Sequence, residues 1–225
     1  KSVVQLEQEA AEIMAMGGGV QFYFQQNRDL SLKPWLAGPL SEIGAFCRER
    51  QAYCHNAKAI PQVALLFPTL SYRQSSNSPF SGPPEKLQAT LYSLLDNQLP
   101  VEILMEHHLK GKTSQYPLIV IPECQSIEPE LLSELKSYIQ NGGNLLVIGS
   151  ETAKIFKDEL GIESIADIEE KPIFLSAAKR LGAIRSALAD VKLTNEAQVL
   201  SRFYDVCDYR DESQIIASSM RKVGK

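Results

Sequence analysis

The sequence predicts an α/β chain built around a doubly wound, mainly parallel sheet, and three observations predict it. Short continuous apolar runs at 63–67 (VALLF), 118–121 (LIVI) and 144–149 (NLLVIG) read as strands buried on both faces. Amphipathic stretches of helical period separate them, and strand–helix alternation of this kind implies right-handed crossovers in a parallel sheet. Residues 1–55 follow a different order, helix, strand, helix, so one strand there has no sheet of its own.

Along the chain, residues 3–16 place Val3, Leu6, Ala10, Ile13 and Met14 at helical spacing. Gly17, Gly18 and Gly19 end that helix, since glycine adopts the left-handed cap conformation at little cost. Residues 20–25 (VQFYFQ) alternate Val20, Phe22 and Phe24 against Gln21, Tyr23 and Gln25, the period of a strand. After a polar loop, residues 39–54 read as a helix with Pro39 in its first turn. A lone strand between two helices fits the final unit of a β/α barrel whose other strands lie elsewhere.

Residues 56–61 read as a linker, and residues 68–84, rich in Ser, Asn, Pro and Gly, as a long surface loop after the first strand of the second domain. Helices are expected at 85–98, 128–141 and 151–160, with a strand at 101–105. Gly142-Gly143 follows a helix and precedes a strand, so it is a C-cap and not a phosphate-binding loop. Beyond residue 171 the character changes. Strands at 172–176, 197–204 and 214–219 are expected to extend the sheet or form an antiparallel edge. The domains are therefore placed at 1–58, the end of a β/α barrel, and 62–225, an α/β domain expected to lack its final strand and helix. The chain begins without Met or a signal peptide and is read as a fragment.

Bulk properties narrow the partners. The 225 residues carry a net charge of −4 and no basic stripe, which argues against nucleic acid. No apolar run reaches the roughly 18 residues of a membrane span. The four cysteines, Cys47, Cys54, Cys124 and Cys207, form no CxxC pair, so no metal site is expected. No cofactor motif is present, and none is expected.

Two stretches and the head of the chain carry a family likeness. The run IVIPECQSIEPELLSELKSYIQNGGNLLVIG (119–149) combines an apolar strand, a Pro-Glu step, an LxxLxxYxxxGG helix and a second apolar strand. It resembles the glutaminase-like domain that follows the barrel in certain β-galactosidases, often called the trimerisation domain. The tail IIASSMRKVGK (215–225) is similar to the late strand and basic turn of that domain. The head GGGVQFYFQQNRDLSLKPW (17–35) resembles the last barrel strand and loop of glycoside hydrolases, fucosidase-like ones included. The resemblance implies a flavodoxin-like sheet of the class I glutamine amidotransferase type, a carbohydrate substrate for the parent enzyme, homo-oligomerisation and a periplasmic or secreted setting.

The residues are then weighed for chemistry. Amidotransferases of that class carry a nucleophilic Cys on a Gly-x-Cys-x-Gly elbow after a strand. Here the fourth strand leads into Gly149-Ser150-Glu151-Thr152-Ala153, without Cys, so the nucleophile does not carry over. Cys124 follows a strand without flanking glycines; a buried thiol is the simpler reading. His107 and His108 follow another strand, where ligand sites gather, or simply lie on a solvated loop. Glu123 and Glu151 fall at the C-terminal rim of the sheet, as sugar-binding or acid–base carboxylates, or as acids near helix starts. Tyr23, Gln25, Gln26, Asn27, Arg28 and Trp35 lie on and after the proposed last barrel strand, where an aromatic face stacks on sugar and amides bind hydroxyls. Core and lid packing are the competing reading for Tyr23 and Trp35.

The expected function is a non-catalytic accessory or oligomerisation part of a glycoside hydrolase, with no catalytic residue in this chain. Two alternatives stand beside it: an α/β module binding a sugar or phosphate, and a Cys-dependent hydrolase using Cys124 with His107 or His108.

Overall fold

The structure, a computed structural model, describes residues 2–58, 60, 62–76, 84–177 and 180–224. The chain forms two compact units, Lys1–Ile60 and Pro61–Lys225. Of the loop read from the sequence at 68–84, residues 77–83 lie outside the described residues.

In the first unit, helix α1 (Val3–Ala15) starts at Ser2 with a reciprocal capping box: the Gln5 amide N–H donates to Ser2 Oγ, and the Ser2 N–H donates to Gln5 Oε1. It ends in a Schellman motif, with Gly18 N–H donating to Ile13 O and Gly17 N–H to Met14 O. Gly17 has φ +78°, and a Cβ there would lie 2.7 Å from Ala57 O, so the position requires glycine twice over. A 3₁₀ turn at Pro34–Leu36 leads into helix α2 (Ala37–Cys54). Among the described residues, the buried apolar side chains of this unit are Ala10, Met14, Leu36 and Ile43.

The segment expected as a strand at 20–25 belongs to neither sheet of the chain. Its alternation survives in burial: Val20, Phe22 and Phe24 are half-buried, while Gln21, Tyr23 and Gln25 are exposed. A strand is defined by its ladder, and no described segment supplies one.

The second unit holds a four-stranded parallel sheet of β1 (Val63–Phe67), β2 (Val101–Met105), β3 (Leu118–Ile121) and β4 (Asn144–Val147), in the order β2-β1-β3-β4. Helices cover both faces. Val63 and Leu65 share a core with Val120 and with Leu87 and Leu94 of α4 (Glu85–Asp96). Ala64 and Leu66, on the opposite face of β1, share the larger core with Ile119, Ile121 and Phe156, and with Leu131 and Leu135 of α6 (Pro129–Gln140). Shorter helices complete the connections: α3 (Thr69–Ser75), α5 (Glu106–Leu109), α7 (Ser150–Ile155) and α8 (Lys157–Leu160). Helix α3 lies inside the stretch expected to be a loop.

The LxxLxxYxxxGG pattern has a physical meaning. Gly142, at φ +91°, closes a second Schellman motif through Gly143 N–H to Tyr138 O. Gly143 leaves room for the Tyr138 ring, whose carbons lie 2.3 Å from where a Cβ would stand. That ring is placed so that Tyr138 Oη donates to Tyr116 O and accepts the Asn144 N–H at 3.1 Å, joining the starts of β3 and β4.

The strands after residue 161 neither extend this sheet nor edge it. They form a second, antiparallel sheet of β5 (Ile162–Ala177), β6 (Arg180–Leu193), β7 (Ala197–Tyr204) and β8 (Glu212–Arg221), ordered β6-β5-β7-β8. Register breaks at Ile162/Ser164 and Ile168/Lys171 switch the inward phase along β5. A fixed period of two therefore fails to find its full length, and β6 reads locally as a polar connector.

Candidate functional site

The parallel sheet reverses winding between β1 and β3, and the C-terminal end of such a switch point is where α/β sheets take ligands. Three strand ends meet the question there. After β2, Glu106 is fully buried. Its Oε2 accepts hydrogen bonds from Thr69 Oγ1 and the Leu70 N–H, each at 2.9 Å, and its Oε1 accepts the Glu128 N–H at 3.1 Å. The two carboxylate oxygens thus bind the first turn of α3 and the cap of α6 at once, where unpaired helix N–H groups favour an anion.

After β3, Cys124 is buried at 3% exposure and its N–H donates to Thr152 Oγ1 at 2.7 Å. Thr152, fully buried in α7, donates in turn to Pro122 O or Cys124 O. Burial pushes the Cys124 thiol up, and the neighbouring Glu106 carboxylate adds to that push, against a smaller opposing effect from the Thr152 hydrogen bond. A nucleophilic cysteine needs the reverse, an exposed thiol in electropositive surroundings. His107 and His108 lie exposed on α5 with their rings 3.9 Å apart. An enclosed, raised thiol is the reverse of what the Cys124–His hydrolase, the alternative read from the sequence, requires.

Glu123 is one-fifth exposed and paired with Lys86 of α4. Its side chain packs on Gly149, where a Cβ would fall 2.6 Å from Glu123 Cβ; Gly149 also has φ +91°. Glu151, at the start of α7, pairs with Lys154 at 2.6 Å, and Lys154 reaches Asp167 of β5 at 3.0 Å. Each of the two rim carboxylates thus has its own lysine.

In the first unit, Asn27 and Asp29 build a tight turn. The Asn27 N–H donates to Ser31 O, Asn27 Nδ2 donates to Ser31 Oγ at 3.0 Å, and Asp29 Oδ1 accepts both the Ser31 hydroxyl and its N–H. Those two bonds hold the Asp29 carboxyl below its ordinary range. Leu30 sits in the left-handed region at φ +68°. The turn leaves Tyr23 at 85% and Trp35 at 69% exposure, with Gln25, Gln26 and Arg28 also exposed. Between α1 and α2 runs a groove of about 540 Å³ lined by Met14, Gly18, Val20, Phe22, Cys47 and Arg48. Among the described residues, no group of three His, Cys, Asp or Glu could hold a metal ion, and no helix is long and apolar enough to cross a membrane.

Sequence reasoning missed Glu106 and Thr152. Glu106 directly precedes the two histidines, which draw attention away from it. The available signal was an acid directly after an apolar strand, at the switch point.

In fold, the chain is similar to portions of solved glycoside hydrolases. Over 100% of its length it is similar to 37% of a GH42 β-galactosidase from G. stearothermophilus, with TM-score 0.72 and 15% identity. It is likewise similar over 100% of its length to 36% of α-L-fucosidase isoenzyme 2 from Paenibacillus thiaminolyticus, with TM-score 0.72 and 19% identity. An exo-β-1,4-mannosidase from Opitutaceae bacterium strain TAV5 matches 88% of the chain at TM-score 0.53 and 18% identity. At these identities the likeness is one of fold. The chain spans little more than a third of the first two proteins. No protein-family model matches the chain, and none of the curated proteins compared matches it.

Proposed function

We propose that this chain is a non-catalytic accessory and oligomerisation part of a glycoside hydrolase whose carboxylate pair lies on a barrel outside these residues. The observation that carries the reading is the coverage: the whole chain is matched by about a third of two glycoside hydrolases that act on different sugars by name. The parallel sheet is read as flavodoxin-like, of the glutamine amidotransferase type; its order β2-β1-β3-β4 agrees with the start of the 2-1-3-4-5 winding. The burial of Cys124 supports the absence of an amidotransferase nucleophile.

In this reading residues 1–58 are the closing unit of the barrel, and the 20–25 segment pairs with a barrel strand. Tyr23, Gln25, Gln26, Arg28 and Trp35 then face the sugar of the intact enzyme, with Asn27 shaping the turn that presents them. Glu123 and Glu151 take sugar hydroxyls only by giving up their lysines.

The test is turnover and assembly of the 225-residue chain. Against a panel of nitrophenyl glycosides no hydrolysis is expected, and sedimentation is expected to find species heavier than the 25.0 kDa monomer. Hydrolysis above background overturns the non-catalytic reading, and a strict monomer removes the assembly role. Thiol labelling addresses the alternative directly: exposed Cys207 is expected to react first and buried Cys124 last.

A further inference from the structure

Glu106 has no part in the proposed function, yet it occupies the place where a sheet of this winding receives a ligand. A buried carboxyl group is costly unless its oxygens are satisfied, and an apolar side chain of similar size would fill the same volume without that demand. Here both oxygens are satisfied, by one hydroxyl and two backbone N–H groups drawn from the segments after β1 and after β3. Residues 69 and 70 are neighbours, but residue 128 lies far from them in sequence, and the Glu106 carboxylate is where the two segments' donors meet.

We propose that these three donors form an anion site that the chain fills with its own Glu106, so that the switch-point crevice is closed to external acids. The site is selective for a carboxylate, since Oε2 takes the Thr69 hydroxyl and Leu70 N–H together while Oε1 takes the Glu128 N–H from the other side. The inference stands on this geometry and does not depend on the glycosidase reading. The same carboxyl group adds to the burial that raises the Cys124 thiol, where a hydrolase of this type would have a cationic partner.

Glu106→Ala removes the two side-chain carbons and two oxygens that acetate would return, so acetate is the probe. In thermal unfolding, E106A is expected to melt below the wild type and to recover with acetate along a saturating curve, while the wild type responds to acetate only as it does to chloride at equal ionic strength. Coincident acetate and chloride curves for E106A overturn the site.

Should E106A not fold in either salt, E106Q decides. Its amide can accept on only one side, so the Leu70 or the Glu128 N–H is expected to exchange with solvent about tenfold faster, the weight of one charged hydrogen bond. The Val120 amide, in the middle of the sheet, serves as the internal reference. Unchanged protection at both Leu70 and Glu128 overturns the proposal.

Discussion

Two segments of this chain carry apolar strand patterns and end in different states. VALLF at 63–67 is paired on both sides, by β2 and by β3, and its first four residues are buried. VQFYFQ at 20–25 keeps its alternation but belongs to no sheet, and Tyr23 stands almost wholly exposed. The difference teaches that apolar periodicity states a demand for a partner and not its fulfilment. Backbone N–H and C=O groups of a strand are satisfied only by a neighbouring strand or by water. The second unit carries its partners within itself, and the first, among the described residues, has two α-helices and few buried apolar side chains.

The comparison is broken or sharpened most strongly by dividing the chain. Residues 62–225 alone are expected to unfold in urea as a cooperative transition, because both cores of the parallel sheet lie within them. Residues 2–60 alone are expected to give no cooperative transition, as a segment of that size with so small a core is marginal at best. A sharp transition in the short piece would show that VQFYFQ needs no partner.

Next in size is the core itself. Leu66→Ala is expected to cost about 2–5 kcal/mol, read from the urea midpoint, because Leu66 is fully enclosed between β-strands and α6. A cost under about 1 kcal/mol would mean that the sheet can collapse around the lost volume.

Smaller effects test the local devices of the second unit. Thr152→Val keeps shape but strands the buried Cys124 N–H, and is expected to cost about 1–3 kcal/mol in the same assay. Gly143→Ala drives a methyl into the Tyr138 ring, with an expected cost of about 1–3 kcal/mol. A neutral result for either would detach the motif from its explanation.

The smallest effect is electrostatic. Burial raises the Glu134 carboxyl, but hydrogen bonds from the Thr113 hydroxyl and from the Gly111 and Thr113 N–H groups, with Lys110 nearby, outweigh it and hold the group below its ordinary value of 4.5. A carboxyl lowered on folding contributes stability that is full above the unfolded value and is lost as pH falls through the folded one. Glu134→Gln is therefore expected to flatten the stability profile below about pH 4.5 and to leave its shape at neutral pH unchanged.

The candidate site was legible only in outline. Cys124 invited a nucleophile because it follows a strand, and the structure encloses it under Thr152 and beside Glu106. The rim carboxylates Glu123 and Glu151 were placed on the correct strand and helix ends, but their lysines, 86 and 154, come from a crossover helix and from the next turn. The sequence left sugar contact and core packing open for Tyr23 and Trp35, and the turn closed by Asp29 and Ser31 leaves both exposed.

What the sequence determined by itself is whatever lies within a few residues: the apolar runs of β1 to β4, the helical period of α1, α4 and α6, and the glycine caps after Met16 and Asn141. Tertiary structure alone decided that β5 to β8 form a sheet of their own, and that α3 begins where it does. Helix α3 has no side-chain cap of its own, and its first-turn N–H at Leu70 is bound by a carboxylate 36 residues further along. The physical reason is common to both cases. Period and cap are written in neighbouring residues, whereas the partner of a strand edge or of a buried donor is chosen by which distant surfaces the fold brings together.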